Sequence, residues 1–270
     1  MSTAAQREDA ATRVMAATRH LWTDRRARWT PLPPDAQPRN LAEAYAIQLL
    51  LRERLVEARG RVTGWKIGLT SPVMQGLFRL DTPVVGAIFD ATFYQSPARV
   101  RARDFIRLGI DCTLAFKIGR DLPGGDGPYG REIVQSVVTT CAPAIELLED
   151  RGANDYVKVG GLQFVAENAW NGGLVLGPPI PGWDRIDLVR LRGRLRFQGI
   201  WVADGFGRDV MGHPLDALTW LANELPKRGG HLRAGDWVAT GPMIPTKVMG
   251  PGQEAVFVLN RLESAAMTVL

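Results

Sequence analysis

Apolar positions recur every three to four residues in two N-terminal stretches and in short alternating runs through most of the remaining chain. Residues 2–30 read as a helix that turns Val14, Ala17, Leu21 and Trp22 to one face. The stretch 30–40 (TPLPPDAQPRN) holds four prolines, which fix φ and lack an N–H, so an extended connector is expected there. A second helix is expected over 41–59, with Ala44, Ile47, Leu51 and Leu55 as its stripe, Asn40 as cap and Gly60 as stop. From Val62 the texture changes to strands and turns around a small helix at 72–78. TPVVGAIF and ATFYQ read as strands, 122–130 as a glycine-rich turn, 133–141 as a helix in spite of its β-branched residues, and VRLRGRLRF with GIWVADGFGRDV as a hairpin. A helix over 214–227 turns Leu215, Leu218, Leu221, Ala222 and Leu225 inward, and strands at 236–241, 254–259 and 265–270 close the chain. The pattern predicts an α+β protein, a helical portion over 1–61 followed by a β-rich portion over 62–270.

Three apolar runs each carry a charge. The central one is an apolar strand over 110–118 between Gly109 and Gly119, where alternation points Asp111, Thr113 and Ala115 to one face and Cys112, Leu114 and Phe116 to the other. The others are GWKIGLTS (64–71) with Lys66, and APAIELLEDR (142–151) with Glu146. A charge inside an apolar strand is costly unless something pairs with it, so these three segments form a candidate buried polar cluster. The plainer alternatives are an Asp at a strand entrance facing water and a lysine that snorkels to the surface.

Composition narrows the function classes. At 46% apolar and 23% charged residues the chain is ordinary for a globular protein. Cys112 and Cys141 are the two cysteines, each in an apolar run, which disfavours a disulfide framework and suits a cytoplasmic setting. The first 30 residues lack a secretory core segment, and Glu8, Asp9 and Asp24 disfavour a transit peptide. No apolar run is long enough to span a bilayer, so no membrane partner is expected. The formal charge of +5 favours an anionic small molecule or a nucleic acid. Arg190, Arg192, Arg194 and Arg196 share one strand face, read as the wet side of a half-buried strand or the rim of a subunit contact rather than a nucleic-acid surface. His20, His213 and His231 have no zinc spacing, and no nucleophile elbow, P-loop or HExxH occurs.

The ordered series GWKIGLTS, AFKIGRDL, PAIELLEDR, ENAWNGGLVLG, VMGHPLDALTWLANEL and RAGDWVATG resembles the 2-keto-4-pentenoate hydratase family over residues 40–270. The resemblance implies a mixed β-roll or sandwich core of the fumarylacetoacetate hydrolase type and a homo-oligomer. It also implies a hydro-lyase that adds water to a 2-hydroxy-2,4-dienoate in aromatic catabolism; a divergent decarboxylase, C–C hydrolase or isomerase and a non-catalytic oligomer partner are the alternatives. The family's site implies Lys66, Asp81 and Glu146 as catalytic groups, and Lys66, Arg151, Trp170 and Thr240 as substrate contacts, with Arg151 expected to pair with Glu146 or Asp111. Magnesium or manganese would be held by Asp111 and Glu146, where the family has three glutamates. Here Thr113 replaces one carboxylate and Asp111 shortens another, leaving a degenerate site. Trp170 stands where the family has a small residue, and is expected to line a pocket wall.

Overall fold

The computed structural model describes residues 4–270 apart from 126–127, 154 and 261. Two helices, α1 (Ala4–Thr23) and α2 (Leu41–Arg59), come first. Asn40 caps α2 by accepting the Glu43 N–H at 2.9 Å, and Gly60 ends it at φ 77°, a left-handed value that glycine adopts without strain. Helix α1 stops seven residues short of the expected 30, ahead of the proline connector. The two helices share an apolar cluster with Ala87, Phe89 and Ala166 of the β-rich part. Gln48 on α2 stitches the parts together, its side-chain amide donating to the carbonyls of Val85 (2.8 Å) and Val165 (2.7 Å).

The rest is built from β1 (Val62–Gly68), α3 (Pro72–Phe78), β2 (Val84–Phe89), β3 (Phe93–Gln95), β4 (Ala98–Val100), β5 (Leu108–Ile118), α4 (Arg131–Ser136), β6 (Val138–Glu149), α5 (Tyr156–Ala166) and β7 (Asn171–Leu176). It continues through β8 (Arg192–Phe197), β9 (Ile200–Phe206), α6 (Pro214–Glu224), β10 (Trp237–Ala239), β11 (Ile244–Met249), β12 (Glu254–Leu259) and β13 (Ser264–Val269). One sheet runs β2-β1-β10-β5-β6-β7-β3, with β11 also pairing β5; the second runs β4-β13-β12-β8-β9. Parallel pairs (β1–β10, β3–β7, β4–β13) occur among antiparallel ones, so the sheets are mixed and the class is α+β. The helix expected over 133–141 is instead split: α4 ends at Ser136 and the β-branched residues beyond it open β6. Asp126 and Gly127, in the turn expected over 122–130, lie outside the described residues.

The two faces of the long β5–β6 hairpin differ. Cys112, Leu114, Phe116, Ile145 and Leu147 enter the main core with Leu195, Phe257 and the apolar face of α6. Across the other face run small residues: Ala115, Ala142, Ala144 and Ala239. On β8, Leu195 packs inward while Arg192 pairs with Asp204 at 3.0 Å and Arg194 stacks 4.0 Å over the Trp201 ring, the half-buried arrangement that the arginine alternation predicts.

Candidate functional site

The charged residues lie on the small-residue face. Asp111 on β5 is directly opposite Glu146 on β6. Lys66 on β1 is in register with Ala239, which faces Ala115, which faces Ala142. With alanines across this row, nothing bulky blocks the long Lys66 side chain from lying over the sheet. On its other side stands Gly86, where an added Cβ would meet the Asn168 carbonyl at 2.5 Å and Lys66 Cγ at 3.2 Å. Lys66 Nζ ends 3.0 Å from Glu146 Oε2, with the side chains only 4% and 1% exposed. The contact is an ion pair, and both Glu146 oxygens are without hydrogen-bond partners among the described residues. Such a buried acceptor is expensive to leave unmatched. Asp111, 7% exposed, accepts the Thr246 hydroxyl at 2.6 Å. Burial, and then the neighbouring Glu146 charge, push its carboxyl up to about 6, against the opposing pull of Lys66 and Thr246.

These groups form the floor of a cleft of about 560 Å³. Helix α3 contributes Met74, Leu77 and Phe78 to one wall; Tyr156, Phe164 and Trp170 form another, and Pro242–Thr246 a third. Trp170 is held in place by its turn. Asn168, Ala169 and Trp170 all have left-handed φ (56°, 48° and 52°), a costly run for residues with side chains. The Asn168 amide compensates by bonding Ala87 twice, accepting from its N–H at 2.7 Å and donating to its carbonyl at 2.9 Å.

Of the residues singled out in the sequence, Lys66, Asp111, Glu146 and Trp170 meet at this cleft. Four others do not line it. Asp81 is exposed in the bend before Pro83. The buried Thr113 hydroxyl donates to the Gly241 carbonyl at 2.7 Å. Thr240 likewise donates to the Leu114 carbonyl at 3.1 Å. Both threonines are occupied where the chain breaks between β10 and β11, a feature with no local sequence signature. Arg151 pairs with Glu167 at 3.1 Å and donates to the Asp24 carbonyl, behind Trp170 rather than with Glu146 or Asp111. Sequence reading missed Thr246, Tyr156 and Asp150, which line the cleft. Asp150, directly before Arg151, lies within the APAIELLEDR run, but its partner is Arg107.

A divalent cation fits two of these groups. Magnesium is commonly bound by one or two carboxylates and keeps several waters, and the facing carboxylates of Asp111 and Glu146, the latter without hydrogen bonds, supply that set. No cluster of three or more metal-binding His, Cys, Asp or Glu occurs among the described residues, so a third carboxylate is not replaced from elsewhere. Charge crowding here has a measurable consequence. Because the folded-state pKa of Asp111 is raised, this group favours folding at low pH and opposes it as pH rises through about 4 to 6. In chelator-treated protein, Asp111→Asn should therefore raise stability at pH 7.5 by about 1–3 kcal/mol, and by nothing near pH 4. Urea melts at the two pH values check this; no gain at pH 7.5 would mean that Asp111 is not desolvated.

No protein-family model matches the chain. It is 32% identical over 222 residues to a 2-keto-4-pentenoate hydratase of Paraburkholderia xenovorans strain LB400, covering 82% of this chain and 81% of that protein. It is 30% identical over 240 residues to a 2-hydroxyhexa-2,4-dienoate hydratase of Comamonas testosteroni, covering 88% and 89% of the two. In structure it resembles a 4-oxalocrotonate decarboxylase of Pseudomonas putida G7, solved with magnesium and adipate, with a TM-score of 0.87 at 26% identity over 96% of this chain and 98% of that one. Identity of this extent, together with the charged floor, places the chain plainly: it belongs to the 2-keto-4-pentenoate hydratase family.

Proposed function

We propose that this protein is a hydro-lyase that adds water to a 2-hydroxy-2,4-dienoate, a small anionic 2-keto acid in its keto form, on a β-roll of the fumarylacetoacetate hydrolase type. The observation that carries the reading is the buried Lys66–Glu146 pair beside Asp111 at the floor of the cleft. Asp111 and Glu146 would hold magnesium or manganese, which would supply Lewis-acid stabilisation for negative charge developing on a bound 2-keto acid. The Lys66 ammonium anchors the substrate carboxylate, and its Nζ lies 3.0 Å from Glu146 Oε2. The Thr246 hydroxyl orients Asp111. The aromatic wall limits water around the diene; the 2-hydroxyl proton moves to C5, the hydroxyl of one water adds at C4 and that water's proton goes to C3, so the addition is redox-neutral.

Decarboxylation is the second reading, favoured by the likeness in structure to the decarboxylase. Loss of the dienol ultraviolet absorbance with magnesium or manganese present, without carbon dioxide release, is the expected result; carbon dioxide release would favour the second reading. Titration calorimetry should detect magnesium binding to the wild type and not to Glu146→Gln. Equal binding by both would remove Glu146 from the metal site.

Buried free thiols at Cys112 and Cys141 suit a cytoplasmic location, and no helix among the described residues is long and apolar enough to cross a membrane. Edge strand β9 exposes Ile200, Trp201 and Val202, which suits a homo-oligomer.

A further inference from the structure

The cleft is larger than a pentadienoate needs, and its walls differ in charge. A volume of about 560 Å³ lies in the range that encloses drug-sized ligands. Among the described lining residues Lys66 is the one lysine or arginine, and it is already paired with Glu146. Asp150, Asp204 and Asp209 add three more carboxylates to the lining. Their partners do not bring positive charge into the cleft. Arg107 binds Asp150 and Arg192 binds Asp204, yet neither arginine lines the cavity, and Asp209 is held by the Phe206 N–H at 2.7 Å.

The remaining wall is aromatic and aliphatic. Ring centroids lie 4.6 Å apart for Phe78–Phe164, 4.9 Å for Phe164–Trp170 and 5.3 Å for Tyr156–Trp170, spacings typical of packed aromatic clusters. Met74 and Leu77 extend that surface from α3.

We infer that the cleft selects 2-hydroxydienoates whose distal end carries a bulky uncharged group, branched alkyl or aryl, and rejects those that end in a second carboxylate. The inference rests on the hydratase reading for the reacting end and adds the tail. The first carboxylate of the substrate has Lys66 and any cation on Asp111 and Glu146. A second one would lie against the carboxylates of Asp150, Asp204 and Asp209 with no further lysine or arginine in the lining to receive it, which is unfavourable. An aryl or branched tail instead gains by covering the aromatic wall. Tyr156, Leu77 and Trp170 are the specificity-determining residues.

The test compares three 2-hydroxydienoates that differ only at the distal carbon, bearing hydrogen, phenyl or carboxylate, with magnesium present. The phenyl compound should exceed the hydrogen one in kcat/KM by about tenfold or more, and the carboxylate compound should fall below it by about 10²-fold, the size of discrimination that a pocket contact or an unpaired buried charge gives. In Leu77→Arg the order of phenyl and carboxylate compounds should reverse. A wild type that prefers the carboxylate tail, or is indifferent to all three, overturns the inference. Binding of non-reacting 2-keto acids with the same tails, followed by tryptophan fluorescence, separates this from the hydratase reading. If none of the dienoates is hydrated, the reaction is wrong; tighter binding of the phenyl tail than of the carboxylate tail by about tenfold still supports the inference, and equal or reversed affinities overturn it.

Discussion

Lys66→Met is expected to lose turnover by about 10²-fold or more and, in chelator-treated protein, about 3–5 kcal/mol of stability. The substitution keeps the apolar stem and removes one charge of a pair whose members are 4% and 1% exposed. Glu146, which has no hydrogen bond to fall back on, is then a buried and uncompensated charge next to Asp111. Breaking such a pair by deleting one partner is far more costly than replacing both, because the desolvation of the survivor is no longer offset. The double variant Lys66→Met/Glu146→Gln should therefore recover most of the stability while remaining inactive, since it also loses a proposed metal carboxylate. Magnesium gives a third readout. With the ammonium gone, less positive charge opposes a cation at Asp111 and Glu146, so magnesium should bind Lys66→Met more tightly and restore part of its stability. Urea melts of the single and double variants, with and without magnesium, decide the matter: a single variant with the wild-type midpoint would show that the pair is not a buried one.

How much of this was legible depended on the reach of each signal. The α2 stripe of Ala44, Ile47, Leu51 and Leu55 is buried as its period requires, between the cap and stop residues expected from local chemistry. Lys66, Asp111 and Glu146 were legible because each charge interrupts an apolar strand, and register then brings the last two face to face. Thr113 shares their strand face, as alternation requires, but alternation says nothing about where a hydroxyl bonds. That is set by the break after β10, where Gly241 turns at φ 103° and its carbonyl takes the Thr113 proton. A Cβ on Gly241 would lie 2.5 Å from the Thr70 hydroxyl, so the turn depends on a contact 171 positions earlier in the chain. Arg151 was misplaced for the same reason: Glu167, which neutralises it, belongs to the Trp170 turn rather than to the strand that precedes it. Thr246 had no signal, because its importance comes wholly from β11 lying against the Asp111 end of β5.

Trp170→Ser is expected to destabilise the protein by about 3–5 kcal/mol, as large-to-small aromatic truncations do, and also to abolish any preference for a bulky tail. The expected pocket-wall residue also packs as a core residue. It is 6% exposed, lies 4.9–5.8 Å from the rings of Phe164, Tyr156 and Phe78, and lines the cleft with its remaining surface. Its Nε1 donates to Glu167 Oε2 at 2.8 Å, while Trp29 and Gln163 donate to Oε1 of the same carboxylate at 3.1 and 2.7 Å. Serine would leave a cavity and one carboxylate oxygen without its donor. It would also remove the packing that holds three consecutive left-handed residues in place. Trp170→Phe separates these contributions. The ring still packs against its three neighbours, so the loss should be near the net value of one hydrogen bond to a charged group, about 1.5–3 kcal/mol, and tail preference should survive. Thermal and urea melts of the two variants, beside kcat/KM for the phenyl- and hydrogen-ended dienoates, test both halves. A serine variant that melts within about 1 kcal/mol of the wild type would refute the packing role, and one that melts low yet keeps the tail preference would remove Trp170 from the cleft wall.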